Sequence, residues 1–213
     1  MRRQKRRETF KNLVIDYIND NAKAYIIITL MFLIGIVLGI IFVNNTNENQ
    51  QNQIGGYINN FIDATKNNQQ ISSQELLKEY IKSDSYTALI LWFLGSTVIG
   101  APLIYLAILY KGYSIGYTIS SVIATIGAGK GVIFILTTML FKYIIYVPCI
   151  LSIAVSGIKL YKMIIQDRRN ENIKIQLIRH TLFCILMLIL MTISSIIGTY
   201  LSMWLLKMLV KWY

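Results

Sequence analysis

Residues 89–148 read LILWFLGSTVIGAPLIYLAILYKGYSIGYTISSVIATIGAGKGVIFILTTMLFKYIIYVP and contain no Asp or Glu. Their only charged side chains are those of Lys111, Lys130 and Lys142. A water-soluble core of this length would need charged outer faces on its helices or strands. The stretch is therefore predicted to lie in lipid, and the rest of the chain is interpreted around it.

Small residues recur through this stretch and in an earlier apolar run. Residues that lack a large side chain let helix backbones approach closely in a membrane, where packing drives association. We therefore predict that Gly112 and Gly116 are helix-packing residues. Gly35 and Gly39 form a GxxxG motif in the first apolar run. This motif either marks a second helix contact or arises by chance in a helix that tolerates glycine.

The composition of the whole chain places it in the membrane class. Of its 213 residues 55% are hydrophobic and 15% charged, and the mean hydropathy is +0.53. The net charge of +11 arises mainly from two basic clusters beside apolar runs, in residues 2–23 and 159–179. This pattern is typical of cytoplasmic loops, so we expect the lipid bilayer, with its anionic lipids, as the partner and no nucleic acid.

The chain divides into six segments by polarity. They are a basic cytoplasmic N-terminal segment (1–23), a first transmembrane helix (24–43), an extracytoplasmic loop (44–85), a membrane core (86–158), a basic cytoplasmic loop (159–181) and a last transmembrane helix with an outer C-terminal end (182–213). The first apolar run ends without a small-residue cleavage site, so we interpret it as a retained signal anchor. The predicted fold is all-α, a polytopic integral membrane helical bundle.

Within the membrane core the helix boundaries are set by glycine and proline. We predict an inward span at 86–110 that Pro102 kinks or breaks, a short segment at 113–126, a turn at 127–131 and a return span at 132–158. With 24–43 and 182–206 this gives about five crossings, with the N-terminus inside. The fourteen residues of 113–126 are short for a crossing and either tilt or re-enter, and re-entry leaves three crossings.

The outer loop is predicted to carry two amphipathic helices. The first places five apolar side chains on one face, namely Ile54, Tyr57, Ile58, Phe61 and Ile62. The second begins before residue 76 and presents Leu76, Leu77, Tyr80 and Ile81. These helices either fold onto the outer ends of the bundle or offer a docking surface to an extracytoplasmic partner.

The sequence shows no catalytic motif, and we expect neither a cofactor nor a metal. GAGKG at 127–131 lacks the first Gly and the Ser or Thr of a phosphate-binding loop, so we interpret it as a turn. His180, the only histidine, is expected at the inner membrane interface. Cys149 and Cys184 lie in apolar runs and are expected to be buried side chains rather than a disulfide. The chain is not expected to be an enzyme.

Lys142 is the intramembrane charge that calls for an explanation. It lies eleven residues into an apolar segment, about 16 Å along a helix. Ionisable residues at such depth mark functional sites by default, yet we find no acid in the neighbouring predicted spans. The alternative is that re-entrant geometry brings Lys142 near water.

Nearly the whole chain resembles the stage II sporulation protein M family. The resemblance rests on the order and spacing of FLIGIVLG at 32–39, WFLGSTVIGAP at 92–102, LYKGYSIGYTIS at 109–120 and IIYVP at 144–148. One departure is that Phe141, Lys142 and Tyr143 stand where the family is expected to carry Pro-Gln-Asn, so no site is transferred there.

This resemblance implies a non-enzymatic role in engulfment, in which the mother-cell membrane migrates around the forespore. The implied role is a scaffold that brings peptidoglycan-degrading partners, stage II sporulation proteins P and D, to the septal membrane. The competing prediction is a channel or permease-like transport subunit, because interrupted helices and an intramembrane lysine are also features of transporters. The lack of an acid in the predicted spans argues against transport.

Overall fold

The computed structural model describes residues 18–46, 53–60, 73–97, 99–166 and 173–209. All regular structure in these ranges is α-helical, which confirms the all-α prediction. The helices are α1 (Ala22–Asn44), α2 (Ser73–Gly95), α3 (Gly100–Ile126), α4 (Ala128–Thr138), α5 (Leu140–Gln166) and α6 (Ile173–Leu209), and residues 53–60 are also helical. Most of the basic N-terminal segment, and Phe61 and Ile62 of the predicted docking face, lie outside the described residues.

Three of these helices are long and apolar enough to cross a membrane: Ala22–Asn44, Leu140–Ile165 and Ile173–Leu205. Large apolar side chains cover the outside, as Ile26, Val37 and Leu186 are each more than half exposed. Polar side chains such as those of Ser194 and Thr199 are fully buried. Apolar residues outside and polar residues inside are what a lipid solvent requires, so the fold is a helical membrane bundle.

Helices α1 and α3 run parallel and touch through four glycines. Gly35 lies beside Leu109, and Gly39, about one turn later, lies beside Tyr113. From the other helix, Gly112 packs on the backbone of Phe32 and Gly116 on that of Ile36. Backbone therefore meets backbone along two turns of each helix, at Gly112 and Gly116, which we predicted to pack, and at Gly35 and Gly39, for which a chance motif was the alternative.

Helices α5 and α6 run antiparallel along most of their length. At one end Ser202 Oγ donates a hydrogen bond of 2.8 Å to the carbonyl oxygen of Thr138, just before α5 begins. Toward the other end the Ser156 hydroxyl lies 2.9 Å from Nδ1 of His180. Thr138 is the last residue of α4. The short helix α4 and the helix α5 that follows it therefore both pack along α6.

The direction of α2 follows from two contacts with α5. Asp84 meets Lys142, and Gly95 packs on Gly157, so the two helices are parallel. The connection 96–99 then reverses the chain, and Ile104 of α3 returns to the same glycine, Gly157. One end of the bundle, named here the basic end, thus collects the starts of α1, α3 and α6 and the ends of α2 and α5. Among the described residues its basic side chains are Lys23, Lys159, Lys162, Lys174 and Arg179.

The predicted boundaries inside the membrane core were wrong in two places. The span predicted at 86–110 is broken at 96–99, and residues 109–113, where we expected two segments to part, lie within α3. Pro102 is the third residue of α3, a position where its missing N–H has no helical partner to lose. The break therefore precedes the proline instead of falling on it.

The predicted turn at 127–131 is reduced to one residue. Gly127 has φ +91° and separates α3 from α4, whereas Gly129 and Gly131 lie in the first turn of α4. A positive φ favours glycine because it has no Cβ. Gly131 packs on Ile123 of α3, so the two helices form a tight hairpin.

The glycine crossing predicts the effect of a single methyl group. In Gly116→Ala the new Cβ would strike the backbone of Ile36, which cannot move aside as a side chain can. Overpacking of this kind costs about 1–3 kcal/mol, so we expect lower thermal stability in detergent and lower membrane abundance. Gly129→Ala is the matched control, because nothing lies within 4 Å of a Cβ there. Equal stability of the two variants would contradict the close crossing.

Candidate functional site: a buried charge cluster

One face of α6 is built from small residues, most of them polar. Ser194, Ser195, Gly198, Thr199 and Ser202 recur at spacings of three and four and are all buried. Ser194 Oγ donates a hydrogen bond of 2.6 Å to the carbonyl oxygen of Lys142. At Gly198 an added Cβ would lie 2.8 Å from the Cβ of Lys142. The small side chains thus let α5 approach at the residue that carries the charge.

The Lys142 ammonium pairs with the Asp84 carboxylate in the interior of the bundle. Lys142 Nζ lies 3.2 Å from Asp84 Oδ1, and the two side chains are only 7% and 4% exposed. Ser195 Oγ donates a hydrogen bond of 2.5 Å to Asp84 Oδ2. The pair therefore joins α2, α5 and α6 through charge-assisted contacts, which are the stronger class of hydrogen bond.

Two aromatic rings complete the environment of the lysine. Its Nζ lies 3.7 Å from the centroid of the Tyr80 ring and 5.4 Å from that of Tyr146. A cation over an aromatic face is attracted by the ring quadrupole, and the attraction grows when water is excluded. We name Asp84, Lys142, Ser195, Tyr80 and Tyr146 the charge cluster.

The expectation that no acid could neutralise Lys142 was wrong. It rested on placing Asp84 in the extracytoplasmic loop 44–85. In the structure the second amphipathic helix and the start of the next span are one helix, α2, and Asp84 is its twelfth residue of 23. The sequence did contain a signal for the burial of this acid, namely the helical period of α2. One face of that helix carries its buried residues, which are Asp84, Thr87, Ala88, Leu91 and Gly95. No approach of Lys142 to water is needed.

A second lysine, Lys111, also lies deep in the bundle. We predicted it at the end of a span, but it is the twelfth residue of the 27 in α3. Its neighbour Gly112 packs on Phe32, which lies at the middle of α1. Lys111 is therefore level with the middle of α1. It is half-buried and lines a groove of about 340 Å³ between α2 and α3, together with Thr87 and Lys82.

His180 was predicted at the inner membrane interface, and the structure places it at the basic end of the bundle, buried between helices rather than at the surface. It is 3% exposed and lies between α5 and α2, where its ring contacts Gly95. An added Cβ at Gly95 would lie 2.9 Å from Nε2 of the ring, so this glycine leaves the space that the imidazole occupies. The nearby indole of Trp92 donates a hydrogen bond of 3.0 Å to the Thr181 hydroxyl. Cys149 and Cys184 are buried and free, as predicted.

Only part of the predicted docking face packs on the bundle. In the helical segment 53–60, Gly55 is buried and Ile54 and Ile58 are half-buried, whereas Tyr57 is 79% exposed. Ile54 and Gly55 line a pocket of about 390 Å³ between this segment, α1 and α3. Part of the face therefore rests on the bundle, and Tyr57 points away from it.

Comparison with known proteins gave one match. The family model described as stage II sporulation protein M matches residues 28–203, a range that includes α2 to α5, most of α1 and α6, and the whole charge cluster. No curated protein and no solved structure matches the chain. The match confirms the resemblance that the sequence motifs indicated.

The buried pair predicts non-additive effects of substitution. Removing one partner strands a charge and costs about 3–5 kcal/mol, so Lys142→Met and Asp84→Asn should each lower the thermal stability of the purified protein strongly. The double variant leaves no unpaired buried charge. Its loss of stability should therefore be smaller than the sum of the losses in the two single variants. Lys82→Met is the control, because this lysine makes only an exposed contact with Glu79. Additive losses would mean that the two side chains are not coupled.

Proposed function

The chain belongs to the stage II sporulation protein M family, and on that premise we propose that it is a non-enzymatic scaffold of the septal and engulfing membrane. Membership makes it a membrane protein of sporulation, and the family is not a known enzyme family. The proposed role is to recruit peptidoglycan-degrading partners during engulfment. The partners that the resemblance implies are stage II sporulation proteins P and D.

The proposed orientation follows from the distribution of charge. Cytoplasmic loops are enriched in Lys and Arg, and in the part of the chain that the structure describes five basic side chains lie at the basic end of the bundle. We therefore place this end in the cytoplasm and the segment 53–60 outside it. The chain then crosses the membrane several times, starting from a cytoplasmic N-terminus.

The observation that carries the proposal is the exposed ring of Tyr57. The ring is held at a defined place, because Ile54 and Gly55 of the same segment pack toward α1 and α3. Aromatic side chains that are exposed on a fixed support dominate protein interfaces when a partner covers them. Tyr57 therefore offers an extracytoplasmic enzyme a preformed contact.

The polar groups of the bundle support a structural role rather than a catalytic one. Asp84 is engaged by Lys142 and Ser195, and the His180 ring by Ser156. Lys142 and Ser156, which mark these two places on α5, are fourteen residues apart, or about 21 Å along a helix. An acid and a histidine that far apart cannot act on one bond.

A second candidate function, membrane transport, is favoured by one observation. The buried acid Asp84 removes the objection that the membrane core has no carboxylate, and intramembrane ion pairs occur along transport pathways. A scaffold moves no solute, so the proposed function predicts that purified protein in proteoliposomes gives no flux of protons or monovalent ions above empty vesicles. Flux that is lost in Asp84→Asn would favour transport.

The orientation predicts which positions react with a membrane-impermeant thiol reagent. Cys149 and Cys184 are buried, so the native background should be low. In intact cells Asn45→Cys, at the exposed end of α1, should be labelled, and Lys174→Cys, at the start of α6, should be labelled only after permeabilisation. Labelling of Lys174→Cys in intact cells would invert the proposed topology.

The scaffold role predicts that one aromatic ring affects partner recovery. In Tyr57→Ala we expect co-purification of the implied partners from sporulating membranes to fall at least tenfold, since an interface anchor contributes about 2 kcal/mol or more. The measurement is partner recovered per unit of tagged chain. Tyr110→Ala is the matched control, because this ring is 65% exposed on α3 but lies away from the part of α3 that segment 53–60 meets. Unchanged recovery with Tyr57→Ala would remove the docking site from segment 53–60.

A further inference from the structure

A small pocket lies between the last third of α5 and the first third of α6, at the basic end of the bundle. Its volume is about 210 Å³, and each helix contributes one stripe of residues spaced three and four apart. The pocket is smaller than the cavities of about 300–1,000 Å³ that enclose drug-sized ligands. It can therefore hold a compact group, while the remainder of any larger ligand lies outside.

Both helices contribute a positive charge to this pocket. Lys159 of α5 is half-buried, and Arg179 of α6 is exposed at the rim. Eight of the described residues line the pocket, and none of these eight is acidic. The amide of Gln176 adds a further polar group to the lining. Two cations from separate helices and an amide in one pocket suit an anion with several acceptor oxygens, and a phosphate has this form.

Three further residues of the lining are apolar. Leu160 is buried, and Met163 and Phe183 are half-buried. Next to the pocket the outer surface of α6 is also apolar, because Leu182 is 62% and Ile178 58% exposed. A free phosphate would gain nothing from these contacts. A phosphate that carries acyl chains would bury them along this surface.

The inner wall of the pocket is held by a side-chain pair. Ser156 and His180, both in the lining, bond each other across the two helices at 2.9 Å. This contact sets the spacing of α5 and α6 about one turn before Lys159 and directly after Arg179. The two cations are therefore presented by rigid helices rather than by a loop.

We infer that this pocket binds the phosphate of an anionic phospholipid from the leaflet at the basic end, with the acyl chains along the exposed apolar surface of α6. Basic pockets between transmembrane helices on the cytoplasmic side bind lipid headgroups in this way. The inference requires a membrane protein but not the scaffold role. Its failure and the failure of partner docking at Tyr57 are therefore distinguishable.

The test uses the full chain, delipidated in detergent and titrated with phosphatidylglycerol, with bound lipid counted by native mass spectrometry. We expect one tightly bound lipid on the wild type and little binding of phosphatidylcholine. In the double variant Lys159→Gln/Arg179→Gln the affinity for this lipid should fall about 25-fold, since each basic residue near an anionic lipid contributes a factor of roughly five. Lys162→Gln/Lys174→Gln loses the same charge from exposed positions outside the pocket and should lose less than twofold.

Three results would overturn the inference. Equal losses in the two double variants would mean that binding follows total charge rather than the pocket. Protection of the wild type against thermal unfolding by inorganic phosphate, equal to that by phosphatidylglycerol, would assign the pocket to a free anion. If the pocket variant does not accumulate, Arg179→Gln alone decides, because its exposed side chain can be shortened without disturbing the core. An unchanged lipid affinity in that single variant would reject the site.

Discussion

A lysine inside a helical membrane bundle needs a counter-charge within reach, and this requirement determines how α2, α5 and α6 pack together. Lys142 on α5 finds Asp84 on α2 at 3.2 Å, and α6 supplies the hydroxyl of Ser195 to the same carboxylate. Lipid offers no alternative partner to either charge, because each unpaired group would cost several kcal/mol there. The three helices can therefore dock in one register only.

A different kind of contact holds α1 to α3. No charge takes part, and the four glycines bring backbone against backbone, so that packing alone defines the register. The bundle thus combines two devices, shape at the crossing of α1 and α3 and charge where α2, α5 and α6 meet. A buried ion pair adds little net stability but rejects wrong partners, whereas a close glycine crossing contributes dispersion energy.

These two devices give the proposed function a rigid base. Segment 53–60 rests on the ends of α1 and α3, the pair that the glycines bring together. Tyr57 is therefore displayed at the end of the helix pair that the four glycines join. At the basic end, the hydrogen bond between Ser156 and His180 fixes α5 and α6 in the same manner beside Lys159 and Arg179. Both proposed binding surfaces are thus set on elements that do not need to rearrange.

Much of the architecture could be predicted from the order of residues. Apolar runs without acids establish a membrane solvent, because lipid tolerates few charges at any depth. The spacing of Gly35 with Gly39 and of Gly112 with Gly116 marks a close helix face, since four residues bring a helix back to the same side. The burial of Cys149 and Cys184 follows from their apolar neighbours. These properties depend on local composition and period, which a sequence contains in full.

Tertiary structure alone decided which charge meets which. Asp84 is 58 positions away from Lys142 along the chain, and its polar neighbours made it look like part of an outer loop. Only the continuity of α2 from Ser73 to Gly95 carries that carboxylate into the bundle. In the same way nothing in the sequence shows that His180, next to the exposed Arg179, is buried, because the space for its ring is left by Gly95 on another helix. The sequence by itself determined the solvent and the packing faces of this protein, whereas the partners of its buried polar groups depend on contacts between helices distant in sequence.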